Sequence, residues 1–157
     1  MPSAPKSAHG RFEMKKNHMR LFFPALSQNE AFARTAAAAF AAQLDPTIEE
    51  LTDIRTAVSE AVTNAIIHGY GGRGGEVEME CETEGDSFTV RIRDRGRGID
   101  DVPRAMQPFF TSAPELERSG MGFSVMQAFM DDVRVTSAPG EGTSVEMKKR
   151  ISDRDDG

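Results

Sequence analysis

Glu60 and Asn64 stand one helical turn apart in the run Val-Ser-Glu-Ala-Val-Thr-Asn-Ala-Ile-Ile-His-Gly that spans residues 58–69. On a helix they project from the same side. A carboxylate and an amide held rigidly at the lip of a pocket can serve as a base and as a metal ligand. Taken alone the pair reads as a solvated helix face, but Ile67 shares its side, which points to a partly enclosed surface. A second group is Asp94-x-Gly96-x-Gly98-Ile99. There a buried aspartate can accept a hydrogen bond from an amino group, and the glycines let backbone approach a flat ligand. It is equally an ordinary acidic turn. It is not a dinucleotide fingerprint, because Asp101 stands where the third glycine would be. A third group, Gly120-x-Gly122, opens an apolar run. The unpaired N–H groups of a helix start can cradle phosphate there, although the glycines can equally be ending a loop.

These residues need elements to hold them. Leu51, Ile54, Val58, Ala61, Val62 and Ala65 fall on one stripe at 100° per residue, so a helix carries Glu60 and Asn64 and stops at Gly69. Its start is predicted at Asp45-Pro46, with Asp45 as N-cap. His68 near its end is read as a cap, a place that favours a cation, and not as a phosphohistidine. The preceding helix is predicted from a capping box at Ser27 and Glu30 to about Gln43, anchored by Phe32 and Phe40. Before it, His18 to Ala25 alternates as a strand, and Pro24 makes it an edge strand. Gly69 to Gly75 is a connector, and without Gly-Lys-Ser/Thr it is no P-loop. Val77, Met79 and Cys81 alternate with Glu76, Glu78, Glu80 and Glu82. Phe88, Val90 and Ile92 follow the Gly85-Asp86 turn, which gives an antiparallel hairpin ending at Asp94. The proline-rich stretch from Asp100 to Ser119 reads as a lid. After the helix that ends near Met130, strands Val133 to Ser137 and Thr143 to Ile151 close the chain.

Bulk properties narrow the class. The 157 residues suit one domain, with 38% apolar and 28% charged residues as in a globular protein. A net charge of −6 and a pI near 5.1 argue against direct nucleic-acid binding. The single cysteine, Cys81, excludes an internal disulfide framework and suits a reducing compartment. No apolar run reaches membrane-spanning length, so a cytoplasmic protein without membrane contact is expected. Residues 1–16 read as a disordered leader, 17–151 as the domain and 152–157 as a disordered tail.

The boxes gain meaning from their order. Glu-x-x-x-Asn, Asp-x-Gly-x-Gly-Ile, a lid, Gly-x-Gly and Gly142-Thr143 together resemble the GHKL ATP-binding superfamily of gyrases, mismatch-repair ATPases and histidine kinases, over about residues 18–151. The 58–69 run and Pro-Glu-Leu-Glu-Arg-Ser-Gly-Met-Gly-Phe at 114–123 further resemble the anti-sigma-factor serine kinases of sporulation. The resemblance implies an α+β two-layer sandwich, a mixed, mostly antiparallel sheet covered on one face by helices. It implies ATP and Mg²⁺ as cofactors, with Asn64 as the metal ligand and Glu60 as the general base. Asp94 would accept from the adenine amino group, with Gly96, Gly98 and Ile99 beside the ring and Thr143 supporting the same edge. Gly120, Met121, Gly122 and Phe123 would turn N–H groups onto the phosphates, and Arg118 would neutralise the γ-phosphate. The lid departs from the family at Ala113, where a lysine normally precedes the proline. The implied function is an anti-sigma factor that is also an ATP-dependent protein-serine kinase. It sequesters a sigma factor and phosphorylates an anti-anti-sigma (STAS-type) protein, as a homodimer built on the edge strand. A nucleotide-dependent binding module and a plain ATPase are the alternatives. Neither a phosphoacceptor nor a transducer domain fits the length, so the expected acceptor is a hydroxyl on a separate protein.

Overall fold

Strict alternation makes the sheet. In β2 (Glu76–Glu84) Val77, Met79, Cys81 and Thr83 are buried while the glutamates between them stay partly exposed. β3 (Ser87–Asp94) repeats the pattern with Phe88, Val90 and Ile92. A two-residue turn, Gly85-Asp86, joins the two, and Gly85 takes the left-handed φ of 63° that this turn requires. A computed structural model describes residues 15–107 and 122–152. In it β1 (Lys16–Pro24), β4 (Asp132–Ser137) and β5 (Thr143–Arg150) complete a five-stranded sheet in the order β1-β2-β3-β5-β4. Every described pairing is antiparallel, so the mixed sheet expected from the resemblance has no parallel pair among the described residues.

Helices α1 (Gln28–Ala41) and α2 (Ile48–Asn64) pack on one face of this sheet, with the short α3 (Val102–Ala105) and α4 (Gly122–Phe129) nearer its end. Ala33, Ala37 and Ala41 form a fully buried stripe at i, i+4 spacing, and their small size lets α1 lie close against α2. The predicted stripe of α2 is buried at Ile54, Val58, Ala61, Val62 and Ala65.

The opposite face carries charge. One row crosses all five strands as Arg20, Glu80, Arg91, Glu146 and Arg134, each opposite a residue of the other sign. Arg91 and Arg93 reach Glu80, Glu82 and Glu78 at 3.0–3.7 Å. Such half-exposed pairs contribute at most about 1 kcal/mol each, but opposite signs in register exclude the slipped pairings.

Three local expectations are corrected. Ser27 makes no side-chain cap, and Glu30 turns to Arg34 at 3.0 Å instead. The N-cap of α2 is Thr47, not Asp45, in a reciprocal capping box with Glu50. Asp45 is spent closing the preceding turn in the left-handed region at φ 53°. Phe32 is no anchor, since it is 55% exposed and the alanines do the packing. In β1, Met19 and Leu21 pack with buried Phe23 on this chain's own core, and the large apolar side chain left exposed is Phe22.

Candidate active site

Helix α2 does not stop cleanly at Asn64. It widens into a π turn over Ala65–Gly69, closed by a bond from the Tyr70 N–H to the Ala65 carbonyl. Such widened turns recur at functional sites because they re-aim the side chains beside them. Here the turn brings Gly69 onto the end of β3. The Arg97 N–H donates to the Gly69 carbonyl at 2.9 Å, and a Cβ at Gly96 would collide with that carbonyl. The turn at 95–99 is laced in the same way to the β4–β5 turn. Gly140 N–H donates to the Arg97 carbonyl at 2.6 Å, and Gly98, at φ 77°, lies against the Ala138 carbonyl. Tyr70 fastens the outer side, its hydroxyl donating to the Glu76 carbonyl and accepting from the Arg95 N–H.

The three turns enclose a cleft of about 370 Å³ between α2, α3, α4 and the sheet. Its wall includes Asn64, Asp94, Gly98, Ile99, Gly122, Phe123 and Thr143, seven of the sequence-predicted residues. Ile92 and Val145 supply apolar surface next to Asp94. Asp94 is 8% exposed. Burial pushes its carboxyl above the usual range, against N–H groups of Gly96 and Thr143 that favour the charge. A deeply set, acceptor-rich carboxylate next to an apolar wall fits a flat ring bearing an amino group.

Gly96 is not in the wall, and it acts by letting two turns touch. Glu60 sits one turn before Asn64, partly buried and outside the cleft wall. Arg118, Gly120, Met121 and the lid's Ala113 lie outside the described residues. At Gly122 a Cβ would come within 3.0 Å of the Asn64 amide, so this glycine keeps open the space over Asn64. No group of three or more His, Cys, Asp or Glu among the described residues could hold a metal by itself. An Asn64 oxygen together with nucleotide phosphates and water is nevertheless a donor set that Mg²⁺ accepts, so the residues present fit the ion.

The wall also includes Arg97 and Arg104, which no motif in the sequence singles out, and His68 and Asp101, whose place in it the sequence does not signal. His68 is in the cleft instead of being only a helix cap. Asp101 caps α3 by accepting from the Arg104 N–H at 3.1 Å. The Asp-Val-Pro spelling of that helix start was visible, but its position over the cleft was not. Ser137 was also missed, and a serine ending a strand carries no signal of its own.

Comparison with known proteins agrees with this fold. A family model described as a histidine kinase-like ATPase domain matches residues 23–149. The chain is 58% identical over 140 residues to the anti-sigma F factor of Pasteuria penetrans, covering 88% of this chain and 93% of that protein. It is 56% identical over 139 residues to that of Clostridium novyi (strain NT), covering 88% and 97%. Among solved structures, the RsbU and RsbW domains of a Mycobacterium tuberculosis protein align with a TM-score of 0.63 at 18% identity, over 86% of this chain and 32% of that one. The histidine kinase domain of an Erythrobacter litoralis blue-light-activated kinase aligns with a TM-score of 0.51 at 20% identity, over 78% and 61%. The chain thus spans less than two thirds of either solved chain, and at these identities the likeness is one of fold. By its family match and its relatives, the chain belongs to the histidine kinase-like ATPase domain family and, within it, to the anti-sigma F factors.

Proposed function

We propose that the chain holds a sigma factor inactive and transfers the γ-phosphate of ATP to a serine of an anti-anti-sigma protein. The observation that carries this reading is one cleft that sets buried Asp94 at one end and Asn64, beside Gly122, at another. Adenine enters with its amino group on Asp94 and its ring against Ile92 and Val145. The phosphates then run toward the start of α4, because the N-terminal end of a helix favours negative charge. Arg118, Gly120 and Met121 belong to the stretch that would close over them. Asn64 would hold Mg²⁺, which neutralises phosphate charge when bound. Glu60, outside the wall and one turn away, would meet a hydroxyl arriving on another protein. It takes the serine proton as the oxygen bonds to the γ-phosphorus, and the β–γ bridging oxygen leaves with ADP.

The partner surface lies on β1 and the start of α1. Phe22, Leu26 and Phe32 are 54%, 44% and 55% exposed there, on the free edge of the sheet and beside it. A homodimer pairs at this edge and presents one sigma factor with both copies. No helix among the described residues is long and apolar enough to cross a membrane, and a cytoplasmic site of action accords with that. Pull-down of the sigma factor with ATP and with ADP tests the reading. Stronger retention with ATP is expected, and equal retention contradicts a nucleotide-set partner surface.

A further inference from the structure

We infer that Ser137 fixes the direction of the Thr143 hydroxyl, and so makes the base-binding end of the cleft an acceptor-only surface that selects a purine bearing an amino group. This rests on the proposed nucleotide site and concerns only how that site reads the base.

Ser137 closes β4, and its Oγ meets three partners, each at 2.8 Å: the Ile99 N–H, the Gly142 carbonyl and the Thr143 hydroxyl. A hydroxyl has one proton and two lone pairs. The carbonyl can only accept, so it takes the Ser137 proton. The N–H can only donate, so it occupies one lone pair. The remaining lone pair faces Thr143, whose hydroxyl must therefore donate. Having given its proton to Ser137, the Thr143 oxygen offers any other neighbour lone pairs only.

Thr143 lines the cleft and is the cross-strand partner of Asp94. An ionised Asp94 is likewise acceptor-only. Two adjacent side chains at one end of the cleft therefore require donors. An exocyclic amino group supplies them. A carbonyl in its place sets lone pairs against lone pairs, and an unpaired polar group in a closed site is what makes discrimination large. Ser137 is not itself part of the cleft wall, so it is a positioning residue.

The test is calorimetric titration of the full chain, in Mg²⁺ buffer, with ATP and with inosine triphosphate, which carries a carbonyl where adenine has its amino group. The wild-type chain prefers ATP. In Ser137→Ala the Thr143 proton is free to turn toward a carbonyl, and the preference narrows by about three- to tenfold. Ser137→Thr restores a hydroxyl and with it the wild-type ratio. In a Thr143→Val background there is no hydroxyl to orient, and Ser137→Ala then leaves the ratio unchanged. An equal loss of both nucleotides in Ser137→Ala, or a narrowing that persists undiminished in the Thr143→Val background, overturns the inference. If Ser137→Ala does not fold, Ser137→Cys, whose sulfur accepts only weakly from the Thr143 hydroxyl, decides in its place: a narrowed ratio supports the inference and an unchanged one overturns it. A wild-type chain that binds neither nucleotide overturns the proposed function and the inference with it, a result distinct from binding without selectivity.

Discussion

Gly69 and Asp94 stand so close that no methyl group fits between them: a Cβ on residue 69 would lie 2.7 Å from the Asp94 carboxylate. The glycine is therefore fixed by the site as much as by the end of its helix. The π turn that delivers it, and the Gly96 contact behind it, serve to seat this one carboxylate.

Gly69→Ala should displace Asp94 while leaving the hydrophobic core intact. Asp94→Asn should reach the same end by turning an acceptor partly into a donor. Either change removes a hydrogen bond to a charged group, a loss of about tenfold to a hundredfold in ATP affinity. Calorimetry on the two variants checks this, and wild-type affinity in both would remove Asp94 from the site.

The raised pKa of Asp94 sets a pH dependence with two signs. Burial favours the protonated acid in the folded chain. Its contribution to stability is thus fully present below the unfolded value, about 3.9, and is lost as pH rises through the higher folded value. Nucleotide binding needs the charged form and runs the other way. Lowering pH should weaken ATP binding before an ordinary aspartate would protonate. Asp94→Asn, which shares the ligand's own titration, is the reference, and parallel profiles would contradict the assignment.

Much of this was written in the sequence, and what was missed has a physical reason. Strands with period-two burial and the α2 stripe were legible because burial imposes those periods directly. The Asn64, Asp94, Gly98 and Thr143 cluster was legible only as ordered boxes, since no local rule says that four separate segments converge. Capping misled twice. Ser27 and Asp45 both have capping chemistry, but Thr47 has the extended backbone (φ −72°, ψ 164°) and a glutamate at the right distance. Phe32 is bulky yet exposed, because closely packed helices bury alanine instead. The π turn, the Tyr70 clamp and Ser137 depend on tertiary contacts that no periodicity records.

Lys149 should prove structural. Its ammonium group, on a residue only 9% exposed, donates to the Phe129 carbonyl at 2.7 Å and pairs with Asp53 at 3.3 Å. It therefore ties the end of α4 to α2, far from the cleft end of both helices. Lys149→Met should cost about 1–3 kcal/mol by leaving these acceptors unpaired. Urea denaturation measures it, and an unchanged midpoint would show that the tie contributes nothing.

Self-association should depend on Phe22. Phe22→Lys places a charge on an exposed edge-strand position without touching the core. The variant should bind ATP normally but scatter light as a monomer at micromolar concentration, where the proposal expects the wild type to be a dimer. A wild-type monomer, or a variant that dimerises fully, would contradict pairing through β1.

The most direct measurement follows the γ-phosphate itself. The chain is incubated with γ-labelled ATP, Mg²⁺ and the anti-anti-sigma protein, beside Glu60→Gln, which should bind nucleotide but transfer about 10²–10⁴-fold more slowly. The account predicts label on a serine of the partner with the wild-type chain, and almost none with the variant. Label released only as free phosphate, or transfer by Glu60→Gln at the wild-type rate, would contradict it.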